Sequence, residues 1–260
     1  MKKPQKKYAV VVDVSPSEQL NANDAEIKVM GFVFALKSRK SFEEVGSLYP
    51  DPKNRLTLKK WTPAGKKYRK KFVEHAKMLS ENFQIIFGSN ISSNKEIRVV
   101  GKMYWELIMK DMSLTPTGKT KDGRPTVTLG GYKVDGETLP KYEVLVDDLL
   151  VLGWYGEALA SCIKSLIDLN KEPVILDVLI DRLPNEKGGD EHYKATLLKE
   201  MCRRASNGLL RIVGVPERTD YLQRDLLVDN VSGLLRHIVE NENSQYKEAL
   251  DFFKFNRVNK

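Results

Sequence analysis

Residues 8–13, Tyr-Ala-Val-Val-Val-Asp, form a short β-branched run that ends in an acid, the pattern of a buried strand. Ser15, Pro16 and Ser17 break it. A second strand is predicted over 27–36. Residues 37–58 are irregular and rich in turn formers. A helix is predicted from Thr62 as N-cap, with Pro63 at its first helical position, to about Asn82. Residues 83–87 read as a strand stopped at Gly88. From 89 to 139 the pattern is mixed, and its Gly-rich part, 117–137, predicts a hairpin or projecting loop.

The periodicity becomes regular from residue 147. Leu149, Leu152, Gly156, Leu159, Ile163 and Leu166 share one helical stripe, with Asp147 and Asp148 suited to its first turn. Residues 174–181 make the strongest strand in the chain. Asp190 can cap a helix with Leu197, Leu198, Met201, Cys202 and Ala205 on its apolar face, stopped by Asn207 and Gly208. Residues 209–215 are a further strand, ended by Pro216. A last helix carries Leu227, Val231, Leu234 and Ile238 on one face. Two strands, a variable middle, then alternating helices and strands predict an α/β fold with a mixed or parallel sheet covered by helices.

Strand ends and helix starts are where such a fold can hold carboxylates close together. Asp13 ends the first strand, Asp181 ends the strongest strand, and Asp229 lies near the start of the last helix. Magnesium takes oxygen ligands and is commonly held by one or two carboxylates with water and phosphate. Two such ions can stabilise both oxygens of a phosphodiester displacement. Each acid also has a simpler role. Asp13 could form an Asx turn with Ser15, Asp181 could pair with Arg182, and Asp229 could pair with Arg236 or favour the helix N-terminus. Asp177, mid-strand between Leu176 and Val178, is a rival to Asp181.

Three segments resemble a bacterial family of uncharacterised, predicted nucleases with a ribonuclease H-like fold, known from genomes, mobile elements and defence neighbourhoods. They are Tyr-Ala-Val-Val-Val-Asp at Asp13, Val-Leu-Ile-Asp-Arg at Asp181, and Leu-Val-Asp-Asn-Val-Ser-Gly-Leu-Leu-Arg with Asp229 and Gly233. The resemblance implies one ribonuclease H-like domain over residues 1–260, with a long insertion and variable region over 37–146. It implies a metal-dependent nuclease, a hydrolase, with Asp13, Asp181 and Asp229 as catalytic ligands of Mg2+ or Mn2+. Glu157, on the first long helix of the regular part, and Asp177 are further candidate ligands. Water would be the nucleophile. Phage defence, antiviral in effect, or mobile-element biology is the implied setting.

The chain departs from that family after Asp13, where Val14, Ser15 and Pro16 replace Glu-Ser-Gly, and before Asp229, where Leu226 and Val228 replace Gln and Ala. A second expectation follows: a catalytically degenerate module that binds nucleic acid or serves as a scaffold in a larger complex.

Charge points the same way. The net charge is +8, which favours a polyanionic partner. Lys59, Lys60, Lys66, Lys67, Arg69, Lys70 and Lys71 form the densest positive run, interleaved with Trp61 and Tyr68. Nucleic acid, RNA or DNA, is therefore the expected partner, with a protein partner in a larger assembly as a further expectation. The longest apolar runs are far too short for a membrane span. With no export signal and only Cys162 and Cys202, a cytoplasmic location is expected.

Other chemistries lack their residues. Thr117-Gly118-Lys119-Thr120 lacks the upstream Gly of a phosphate loop, since Ser113 stands there. His75, His192 and His237 give no metal-ligand spacing. There is no Gly-x-Ser-x-Gly elbow. Met103, Tyr104 and Trp105 read as core, and the aromatic tail at 252–255 as a segment that docks on its own domain or on a partner.

Overall fold

The computed structural model describes residues 7–17, 19–36, 56–62, 64–82, 85–109, 113–131, 133–134, 137–139, 141–166, 174–180, 191–214, 223–241, 244–251 and 253–257. In chain order these form β1 (Lys7–Ser15), β2 (Ile27–Leu36), α1 (Lys66–Asn82), β3 (Ile86–Ser93) and α2 (Asn94–Met109). Then come β4 (Ser113–Lys119), β5 (Pro125–Gly130), β6 (Lys133–Val134), β7 (Glu137–Thr138), β8 (Tyr142–Leu145) and α3 (Val146–Leu166). The chain continues with β9 (Val174–Ile180), α4 (Glu191–Ala205), β10 (Leu210–Gly214), α5 (Gln223–Glu240) and β11 (Phe253–Arg257).

The main sheet has six strands in the order β10-β9-β1-β2-β3-β11. β2 runs antiparallel to both β1 and β3. β9 is parallel to β1, β10 to β9, and β11 to β3. Strand alternation sends successive side chains to opposite faces, so each face builds its own core. Val10, Val12, Met30, Phe32, Leu176, Val178 and Ile180 pack with α2, α3 and α4. Val11, Val29, Val33 and Phe87 pack with α1 and α5 through Phe72, Leu79, Leu227, Val231 and Leu234. The fold is thus a mixed sheet covered by helices on both faces.

The 37–146 region is not all insertion. It contributes β3 to the sheet centre and α2 to a helical layer, where α2 packs on α3. Close approach there depends on small residues: a Cβ on Gly101 would stand 2.2 Å from the Leu150 carbonyl oxygen, and one on Gly153 would stand 3.0 Å from Gly101 Cα. The projecting hairpin is β4 and β5, joined by β8 in a separate three-stranded sheet. Val127, Leu129 and Val144 tie that sheet into the α2–α4 core.

Two boundaries differ from the sequence expectation. α1 begins at Lys66 rather than next to Thr62, because Trp61 to Ala64 forms a turn (Ala64 N–H to Trp61 O, 2.9 Å) and Gly65 O accepts the first helical N–H groups. β3 lies later than 83–87, at Ile86–Ser93, past Gly88. The tail docks on its own sheet, as β11 beside β3. Among the described residues no helix is long and apolar enough to cross a membrane.

Candidate functional site

Asp13 lies near the C-terminal end of β1, directly across from Gly31 of β2. By alternation with Val12 it belongs to the face that carries α5. A Cβ on Gly31 would stand 2.9 Å from Ser232 N and 3.1 Å from Ser232 Cβ. The missing side chain lets α5 settle against the sheet at this point. Ser232, 1% exposed, uses that proximity: its hydroxyl donates to Asp13 Oδ2 and lies 3.1 Å from the Asp229 carbonyl oxygen. Asp229 is one turn earlier on the same helix.

The Asp229 carboxylate is engaged with the basic segment. Its Oδ2 accepts the Trp61 backbone N–H at 2.9 Å. The next residue, Asn230, donates its amide to the Lys59 carbonyl at 2.7 Å. Tyr68 completes the clamp: its hydroxyl accepts from Lys59 N–H at 3.1 Å and donates to Lys59 O at 3.2 Å. Three backbone groups of an otherwise irregular segment are thereby satisfied. Burial pushes the Tyr68 phenol up, and the Asp229 charge acts in the same direction, against the lowering effect of its hydrogen bonds to Lys59 and Asn230. The Trp61 ring is 6% exposed and sits on Gly233.

These contacts divide the basic run. Trp61 is a packing residue, and Arg69 lies over its ring at 4.8 Å. Lys59 lies over the Tyr68 ring at the same distance. Lys59, Lys60, Lys66, Lys67, Lys70 and Lys71 are exposed, and Arg69 is half-buried. The run therefore presents a sheet of ammonium groups, with its aromatics turned inward as supports for two of the cations. Such a surface suits phosphate contact without base stacking.

The other candidates lie elsewhere. Glu157 is on α3, in the opposite helical layer from α5. Its carboxylate accepts the Tyr104 hydroxyl and the Ser161 hydroxyl, the latter at 2.7 Å. Burial pushes the Tyr104 phenol up, and Glu157 beside it adds to the effect. Glu157 is thus a core hydrogen-bond acceptor separated from Asp13 by the sheet. Asp177 pairs in backbone register with Ala9 and Gly214, but its side chain lies outside the described residues, as does all of Asp181. The last described pair between β1 and β9 is Val12 with Ile180. Arg236 pairs with Glu240 at 2.7 Å rather than with Asp229.

Sequence reasoning missed Ser232, Asn230, Trp61 and Gly31. The first two stand inside the Asp-Asn-Val-Ser-Gly stretch already singled out, and Ser232 has helical i+3 spacing from Asp229. Among the described residues no group of three or more His, Cys, Asp or Glu is assembled for a metal ion. No family model, curated protein or solved structure matches the chain.

Proposed function

We propose that the chain is a metal-dependent phosphodiesterase, a nuclease built on a ribonuclease H-like sheet. The observation that carries this reading is the joint made by α5: one helix holds Asp229 against the basic segment and, one turn on, reaches Asp13 through Ser232. Carboxylate and ammonium groups are then side by side, as a site for a phosphate backbone needs. The sheet supports the fold assignment. An antiparallel β1-β2-β3 meander followed by alternating helices and strands, with β9 and β10 parallel to β1, is the arrangement of ribonuclease H-like folds.

The donor set suits a hard divalent cation, since Asp13 and Asp229 offer carboxylate oxygens. Asp181 is the natural third member. Asp13 and Asp181 each follow, in sequence, one residue of the paired couple Val12 and Ile180. Magnesium or manganese held there would supply Lewis-acid polarisation of a phosphodiester oxygen. The chain's own residues do the rest: the three acids hold the ion, and Lys59, Lys60, Lys66, Lys67, Lys70 and Lys71 grip the backbone of RNA or DNA.

A second reading, the binding-only module, is favoured by one observation: Asp229 Oδ2 already serves as a structural acceptor for Trp61 N–H. Asparagine separates the two, because its amide oxygen can keep that hydrogen bond while the charge is lost. Asp13→Asn, Asp181→Asn and Asp229→Asn are each expected to abolish manganese-dependent cleavage of labelled single- and double-stranded RNA and DNA, with nucleic-acid binding retained. A wild-type protein that binds all four substrates and cleaves none establishes the module instead.

A further inference from the structure

We infer that Ser232 is the positioning residue for Asp13 in the proposed metal site. The inference rests on the nuclease reading and deepens it. Ser232 has one hydroxyl hydrogen and two acceptors within reach, Asp13 Oδ2 and the Asp229 carbonyl. The ionised carboxylate is the stronger acceptor, so the hydrogen goes to Asp13. The geometry is closed on every side. Ser232 is buried at 1%, its backbone lies against Gly31, and Gly31 is the cross-strand partner of Asp13.

The hydrogen bond has a chemical consequence. A carboxylate on a strand end can rotate about its Cα–Cβ and Cβ–Cγ bonds. Donation to Oδ2 fixes that rotation and leaves Oδ1 as the oxygen best placed for a cation. Hydrogen-bond partners of metal-ligating carboxylates commonly matter about ten- to a hundredfold for affinity or activity. The same serine links the two acids, since it lies one turn beyond Asp229 on α5 and touches the Asp229 carbonyl. Helix position and Asp13 rotamer are therefore set together.

The test is a manganese titration of the full chain followed by the EPR signal of free Mn2+. Wild type, Ser232→Ala, Ser232→Cys and Asp13→Asn are compared, with circular dichroism melting and binding of a fluorescent oligonucleotide without metal as fold controls. Ser232→Ala is expected to raise the manganese Kd by about ten- to a hundredfold. Ser232→Cys, a weak donor, is expected to fall between it and wild type. Oligonucleotide affinity should stay within about threefold, because the basic run is untouched. A role confined to packing would alter melting without moving the Kd. Manganese binding by Ser232→Ala as tight as wild type, while Asp13→Asn binds none, overturns the inference and leaves the site standing. A wild type that takes up no manganese overturns the site itself, and the serine assignment with it.

Discussion

The indole of Trp61 rests on Gly233 of α5 so closely that a Cβ at 233 would stand 2.3 Å from its Cδ1 and 2.4 Å from its Cγ. The glycine is what allows the Lys59–Trp61 segment to dock beside Asp229. Gly233→Ala must therefore lift the ring or move the helix. Overpacking of this kind typically costs about 1–3 kcal/mol, partly offset by the better helix propensity of alanine. The expected outcome is a lower urea midpoint with an unchanged slope, and weaker nucleic-acid binding because Lys59 and Lys60 lose their placement. Equal midpoints for variant and wild type would show that the ring yields at no cost.

The cations of the basic run divide into two groups with different behaviour. Lys66, Lys67, Lys70 and Lys71 are exposed on α1. Their replacement by Gln should leave stability nearly unchanged and weaken binding to every sequence alike. Each lost phosphate contact should flatten the plot of log K against log salt by about 0.7–0.9. Arg69→Gln should do the opposite, lowering stability through loss of its stack on Trp61 with a smaller change in salt slope. Gel-shift titrations across a salt series check both.

What the sequence revealed follows the range of the interactions involved. β1, β2, β9, α3 and α5 were legible because their apolar patterns are local and unbroken. α2 was not: Ile97, Val100 and Tyr104 are buried, but Val99 and Met103, at 64% and 50% exposure, blur the stripe. Gly101, which looks like a helix breaker, is there to admit Leu150. β3 was displaced because its buried Ser89, Asn90 and Ser92 look like loop residues. Asn90 in fact accepts the Trp154 indole N–H and the Ser92 hydroxyl. At the site, Asp13 and Asp229 stood out as acids at element ends. Their partners did not, since Ser232 lies 219 residues from Asp13 and Trp61 lies 168 from Asp229. Tertiary packing alone brings such pairs together.

His75 supplies a pH test of the α1 face. It is 7% exposed and packs near Phe72, and burial pushes its imidazole from the ordinary 6.5 down to about 4. Below pH 6.5 the unfolded chain takes a proton that the folded chain refuses until about pH 4. Stability from this group is therefore full above 6.5 and is lost as the pH falls through that window. The slope approaches about 1.4 kcal/mol per pH unit. Urea unfolding of wild type and His75→Gln between pH 7 and pH 4 should diverge in pH dependence, the variant being flatter. Parallel curves would mean that the imidazole is already charged in the folded protein.

The other helical layer holds a buried ion pair, Lys194 with Asp148 at 3.7 Å, with 3% and 6% of their side chains exposed. Lys194→Met removes the cation and leaves the Asp148 carboxylate in the core. Breaking such a pair costs about 3–5 kcal/mol. Asp148→Leu with Lys194→Met should recover most of that loss, because replacing both charges with apolar groups removes the desolvation cost as well. A double-mutant cycle by chemical unfolding measures the coupling, and additive single effects would argue against a direct pair.

Glu157 decides how far the acidic site extends. Its two hydroxyl partners, Tyr104 and Ser161, and its place in the α2–α3–α4 layer make it a structural acceptor. Gln keeps an acceptor oxygen but loses the charge, and its amide group must face one of the hydroxyls. Glu157→Gln should therefore cost about 1–2 kcal/mol of stability, the loss expected for weakened hydrogen bonds to a charged group. The manganese requirement and any cleavage rate at saturating metal should match wild type, because the sheet separates this carboxylate from Asp13 and Asp229. A raised manganese requirement with unchanged stability would instead put Glu157 within reach of the ion, and would require α3 to lie differently against the sheet when metal is bound.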